Sequence, residues 1–248
     1  MPDVKTPGAV IDTVFFDAGG TLLEVEPSVA AVYTHAAAGH GFEVQPGSVD
    51  EGFRAAWKRS LERSRARGYR ASDAILRGEW LKIVRETFGA AVPPSRIGPL
   101  FEDLHDRFAS AGVWRLLPGV LESLSFLRSV GLRLAVVSNW DSRLPRILEG
   151  LGVQGDFDSL VLSHEVGFEK PHLALFEEAL RRAGSEATRT LHVGDSFERD
   201  IRPAQALGLR TLWITPGDRH APSDAGPTAE GFPPSPAPFW EKLLSGPG

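Results

Sequence analysis

The 248-residue chain has no cysteine, which excludes disulfides, thiolate metal ligands and a cysteine nucleophile together. Long apolar runs are also missing: none approaches the ~20 residues that a membrane-spanning helix needs. The opening stretch MPDVKTPGAVIDTV lacks the basic, apolar and small-residue order of a secretory leader. A cytoplasmic protein without a membrane partner is expected. There is no basic surplus, since the net charge is -5 and the pI is near 5.8. General nucleic-acid binding is therefore not expected. Lysine is scarce, five residues beside 22 arginines, which we assign to genome composition rather than to function. The seven histidines show no ligand spacing and are read as structural. What remains is 42% hydrophobic and 24% charged, within the ordinary globular range.

Three short apolar runs end in a polar or acidic residue. TVFFD ends at Asp17, RLAVVSN at Ser138 and Asn139, and TLHVGD at Asp195. Near-continuous apolar runs of this length suit parallel strands buried on both faces. Helical patterns separate them: GVLESLSFLRSVG, PHLALFEEALRRAG and RDIRPAQALGL. Alternation of this kind predicts an α/β fold with a doubly wound parallel sheet, in which ligands bind beyond the carboxyl ends of the strands. Asp17, Ser138 and Asp195 all fall at such ends.

Between residues 24 and 113 the β-type runs disappear. EPSVAAVYTHAAAGHG, DEGFRAAWKRSLERSRARG, DAILRGEWLKIVRETFG and PSRIGPLFEDLHDRFASAG read as four amphipathic helices broken by Gly and Pro. The expected organisation is an α/β core of residues 1–23 and 114–248 with an α-helical domain, 24–113, inserted into it. Near the end, TPGDRHAPSDAGPTAEGFPPSPAP is rich in Pro and Gly and predicts an extended loop rather than a packed element. A short helix, FWEKLL, follows, with Phe239 and Trp240 able to dock on the core.

Four motifs stand in order at these elements: DAGGT from Asp17, VVSN around Ser138, EKPHLALF around Lys170, and GDSFERD holding Gly194, Asp195, Ser196 and Asp200. Together they resemble the haloacid dehalogenase superfamily of aspartate-nucleophile hydrolases, in the branch with a helical cap inserted after the first strand and a Rossmann-like core. The resemblance implies Asp17 as nucleophile with Lys170 as catalytic partner. It places Ser138, Asn139, Thr21 and Lys170 at the substrate, and Asp17, the Gly19 carbonyl, Asp195 and Asp200 around Mg2+. Each role has a chemical reason. A carboxylate can attack phosphorus if the site neutralises the phosphoryl oxygens. Magnesium prefers hard oxygen ligands and keeps several waters. A lysine and a serine can stabilise charge on a phosphoryl group.

One position departs from the pattern. The family's first motif is D-x-D-G-T, and here its second aspartate is Gly19. In the phosphatase branch that acid protonates the leaving alkoxide, help worth roughly 10² to 10⁴ in rate. Dehalogenases of the family carry a bulkier residue there and lack the acidic fourth motif, whereas this chain keeps Asp195 and Asp200. Phosphonatases carry alanine and use a lysine from the cap. Only Lys58 and Lys82 are available for that here, in contexts that single out neither. The expected activity is therefore magnesium-dependent hydrolysis of a small phosphorylated metabolite with weakened general acid catalysis. The alternative is a catalytically weak relative that binds metal or phosphate in a regulatory role. A left-handed backbone at Gly19 would make an acid there strained. The basic run KRSLERSRARGYR, residues 58–70, reads as a solvated helix face, with attraction of a phosphorylated substrate as the other reading.

Overall fold

The computed structural model describes residues 10–215, 226–233 and 235–245. Its centre is β1 (Thr13–Phe16), four residues without solvent exposure. The chain continues through β2 (Leu23–Val25), then α1 (Val29–Gly39), α2 (Pro46–Ala66), α3 (Asp73–Phe88) and α4 (Pro94–Arg107) before β3 (Trp114–Leu116). There follow α5 (Val120–Ser129), β4 (Arg133–Ser138), α6 (Leu144–Gly150), β5 (Ser159–Leu162), α7 (Ser163–Val166) and α8 (Ala174–Ala183). The last elements are β6 (Thr190–Gly194), a π-helical turn over Phe197–Ile201, α9 (Arg202–Ala206), β7 (Arg210–Ile214), β8 (Thr228–Ala229) and α10 (Pro236–Ser245).

Six strands form one parallel sheet in the order β5-β4-β1-β6-β7-β8. Side chains alternate across β1 because successive residues of a strand point to opposite faces. Val14 and Phe16 enter the layer that holds Leu124 and Leu127 of α5, Ile147 of α6 and Trp240 of α10. Phe15 enters the opposite layer with Leu175 and Phe176 of α8 and Ala204 of α9. Helices thus cover both faces, as a parallel sheet requires. The doubly wound α/β reading holds.

Strands β2 and β3 pair antiparallel in a separate ribbon, Leu23 opposite Leu116 and Val25 opposite Trp114. Helices α1 to α4 lie between these two strands in the chain and close their own core around Tyr33, Phe88, Leu100 and Leu104. Two of the helices start at serine caps: Ser28 accepts from the Ala31 N–H at 3.1 Å and Ser72 from the Ile75 N–H at 3.2 Å. Such a cap contributes about 1 kcal/mol by satisfying a free helix-end donor.

Several expectations need correcting. The basic run is not a simply solvated face. Arg63 bonds Glu79 at 2.7 Å and Glu86 at 2.9 Å, Arg59 bonds Glu86 at 2.6 Å, and Arg67 bonds Glu169 at 2.6 Å. These arginines are neutralised by α3 and by the loop before Lys170, which leaves them little attraction for a phosphate. The Pro/Gly-rich stretch is not wholly unpacked either: Thr228 and Ala229 add an edge strand to β7, and Phe232 is buried beside Phe16 and Trp240. Residues 216–225 of that stretch lie outside the described residues. Trp240 is fully buried, as its docking role requires, in a helix longer than the predicted FWEKLL.

Candidate active site

Asp17 follows the last residue of β1, and its backbone N–H donates to Val193 O on β6 at 2.9 Å. The carboxylate is buried, and Oδ1 accepts from Ser138 Oγ at 2.9 Å and from Lys170 Nζ at 2.6 Å. The three residues come from the ends of adjacent strands β1 and β4 and from the loop before α8, so the sheet brings together what the sequence separates. Lys170 is itself buried. Its Nζ also donates to Val137 O at 2.9 Å and to Asp200 Oδ1. Burial works against its charged form, but Asp17 and Asp200 outweigh that and hold the lysine above its ordinary range.

Asp200 sits in the π-helical turn with little exposure. Its Oδ2 accepts from the Ser196 N–H at 3.0 Å, and His192 Nε2 lies 3.2 Å from Oδ1. Burial would raise its pKa, but Lys170 and His192 pull it below the usual carboxylate range. The approach is so close that a Cβ at Gly194 would stand 2.4 Å from Asp200 Cβ, which explains glycine at that position. His192 is the functional-looking residue that sequence reasoning missed. The only signal for it was a polar side chain inside the apolar run TLHVGD, which needs a partner once buried. Burial keeps its pKa low, so a neutral ring donating from Nε2 fits the contact.

Asp195 follows β6, and one oxygen from each of Asp17, Asp195 and Asp200 lies within 4.8 Å of the others. Burial, and then repulsion from Asp17 and Asp200, push the Asp195 carboxyl up to about 7. Two buried acids, Asp17 and Asp200, share one directly bonded lysine, and the half-buried Asp195 beside them has none, so the cluster is short of positive charge. A hard divalent cation with oxygen ligands matches that deficit. The residues present therefore fit a metal of the magnesium class.

Two expected substrate residues are placed differently. Thr21 is fully buried, and its hydroxyl has no partner among the described residues; a ligand outside cannot reach it. Asn139 spends its carboxamide on Lys170: Nδ2 donates to Lys170 O at 2.9 Å, and Lys170 N–H donates to Oδ1 at 2.6 Å. The left-handed backbone is found at Gly20, with φ of 80°, and not at Gly19. Gly19 is crowded by a side chain instead. A Cβ there would lie 3.2 Å from Cζ3 of Trp140, closer than most side chains can pack.

A parallel sheet with a buried carboxylate, lysine and serine at its carboxyl end defines a Rossmann-like hydrolase core. The sequence pattern of the haloacid dehalogenase-like hydrolases matches residues 11–208, and the chain belongs to that family. It is 34% identical over 202 residues to human haloacid dehalogenase-like hydrolase domain-containing protein 3, covering 80% of each chain. It is 36% identical over 109 residues to a glyceraldehyde 3-phosphate phosphatase of Methanocaldococcus jannaschii, covering 42% of this chain and 46% of that one. The crystal structure of a haloacid dehalogenase-type phosphatase from Thermococcus onnurineus matches the fold with a TM-score of 0.64 at 21% identity, over 95% of this chain and 99% of the other. The protein is a hydrolase of this family. No helix among the described residues is long and apolar enough to cross a membrane.

Proposed function

We propose that the protein hydrolyses a small phosphorylated metabolite in the cytoplasm, with Asp17 attacking phosphorus and residues 24–113 closing over the site as a cap. The observation that carries this reading is the grip of Lys170 and Ser138 on one oxygen of Asp17. That grip leaves Oδ2 as the attacking atom and holds the positive charge of Lys170 beside the phosphoryl group. Asp17, Asp195 and the Gly19 carbonyl would hold Mg2+, which supplies charge neutralisation on the phosphoryl group when bound. Asp200, committed to Lys170, His192 and Ser196, orients the lysine and would orient the water shell of a bound metal. Asn139 acts through the Lys170 backbone rather than on the substrate. The acidic residues Asp195 and Asp200 support phosphate chemistry over dehalogenation, as does the phosphatase relative.

The proton balance follows from Gly19. Without an acid at that position, the leaving oxygen departs carrying more negative charge, so the rate depends steeply on leaving-group pKa. A panel of phosphate esters graded by that pKa, assayed with magnesium, tests the reading. Steep dependence and loss of activity in Asp17→Asn are expected. Absence of turnover across the panel would instead favour a binding or regulatory relative, the reading that bare Gly19 supports, and an unaffected Asp17→Asn variant would remove Asp17 as the nucleophile.

A further inference from the structure

The space where a side chain at position 19 would stand is filled from the neighbouring loop. Trp140 lies two residues after Ser138, and its Cζ3 and Cη2 are 3.2 and 3.9 Å from the Cβ position of Gly19. The ring is packed on one side. Trp114, on β3, packs against it with centroids 5.2 Å apart, and Trp114 is tied by its own Nε1 to Phe108 O at 3.3 Å. The Trp140 backbone is fixed as well: its N–H donates to Ser138 O at 3.0 Å, and its carbonyl accepts from Ser163 Oγ at 3.1 Å and from His164 N–H at 3.3 Å. Ser138 in turn holds Asp17. A half-buried indole is thus locked beside the nucleophile's loop, where the phosphatase branch carries its acid.

Resting on the phosphatase reading above, we infer that Trp140 is the specificity-determining residue of this site, a wall selecting phosphate esters with flat aromatic leaving groups. An aromatic leaving group packs on the indole, and its oxygen is stable as a phenolate, so it needs no proton from position 19. In the reaction an oxygen of Asp17 forms a bond to phosphorus while the bond to the aryl oxygen breaks. The electron pair goes to that oxygen, which then takes a proton from water. A second water cleaves the aspartyl phosphate, giving inorganic phosphate and releasing a proton to solvent. A ring-on-ring contact of this kind favours aromatic ligands by about 3- to 10-fold. The wall also crowds an acid: at Gly19→Asp the new Cβ meets the indole at 3.2 Å, so the acid fits only if the tryptophan shifts.

The test uses binding and turnover separately. Phenylphosphonate and ethylphosphonate, which cannot be hydrolysed at oxygen, are titrated by calorimetry into the magnesium-loaded wild type, Trp140→Ala and Trp140→Phe. Phenyl phosphate and ethyl phosphate are assayed for turnover in the wild type, Trp140→Ala, Gly19→Asp and the double variant. The wild type is expected to prefer phenylphosphonate by at least ~3-fold, Trp140→Ala to lose that preference, and Trp140→Phe to keep most of it. Turnover of ethyl phosphate is expected to rise ~10-fold in the double variant and little in Gly19→Asp alone. An unchanged aryl preference in Trp140→Ala, or an equal gain in Gly19→Asp without the tryptophan change, overturns the inference. Tryptophan-dependent phosphonate binding with no turnover of either ester supports the wall and overturns the phosphatase reading instead.

Discussion

Asn139 holds the backbone of Lys170 from both sides, donating to its carbonyl at 2.9 Å and accepting from its N–H at 2.6 Å. The side chain of a residue that follows β4 therefore sets where the lysine leaves its own loop. The lysine ammonium then has three acceptors: Asp17, Asp200 and Val137 O. The amide clamp and the ion pairs act in series, the clamp fixing the backbone from which Nζ reaches Asp17.

Asn139→Ala leaves a half-buried N–H and carbonyl of Lys170 without partners. An unsatisfied polar group of this kind costs about 1–3 kcal/mol. The melting temperature should fall by roughly 2–4 °C for each kcal/mol lost, and turnover should fall with little change in KM, because the clamp acts on the lysine and not on substrate. Calorimetric melting with steady-state kinetics checks both. A raised KM at full turnover would mean that Asn139 contacts substrate after all.

Removing one acid from the cluster should separate folding from metal binding. Asp195 is crowded by Asp17 and Asp200, so Asp195→Asn relieves repulsion in the metal-free protein, whose melting temperature should stay level or rise. Magnesium stabilises the wild type by mass action, and that gain should vanish in the variant. A melt series with and without magnesium reads both effects, and an undiminished magnesium gain in the variant would remove Asp195 from the ligand set.

The helical unit is tied to the lysine loop one residue before Lys170. Arg67 donates to Glu169 at 2.6 Å, Ser64 Oγ bonds the same oxygen, and Glu169 N–H donates to Tyr69 O at 2.7 Å. The pair is mostly shielded from water, so it should be coupled more strongly than an exposed ion pair, which is worth about 0–1 kcal/mol. A double-mutant cycle of Arg67→Ala and Glu169→Gln, followed by denaturant unfolding, should give a coupling of about 1–3 kcal/mol. Additive effects of the two changes would show that the contact carries no linkage between the helices and the catalytic loop.

Asp17, Ser138 and Asp195 were readable because each closes an apolar run, and the carboxyl end of a parallel strand is where the chain must leave the sheet. Lys170 and Asp200 have no such local mark. Only the order of motifs pointed to them, and their contact spans 30 residues of sequence that folding alone brings together. Strands β5 and β7 were passed over: SLVL is too short to outweigh its polar flanks, and RTLWI offers an apolar run without an acid at its end. The reason for Gly19 was illegible. Its backbone conformation needs no glycine, and the indole that crowds a side chain there belongs to a residue 121 positions away in the chain.

The central claim is that Asp17 becomes covalently phosphorylated. The most direct measurement is to quench the magnesium-loaded enzyme with acid during turnover of an aryl phosphate, digest it, and weigh the peptide that holds Asp17. A mass increase of one phosphoryl group on that peptide, absent in Asp17→Asn and discharged when substrate runs out, is the predicted result. Steady turnover with an unmodified Asp17 peptide in the rapid-quench samples, or the same label surviving in Asp17→Asn, would contradict it.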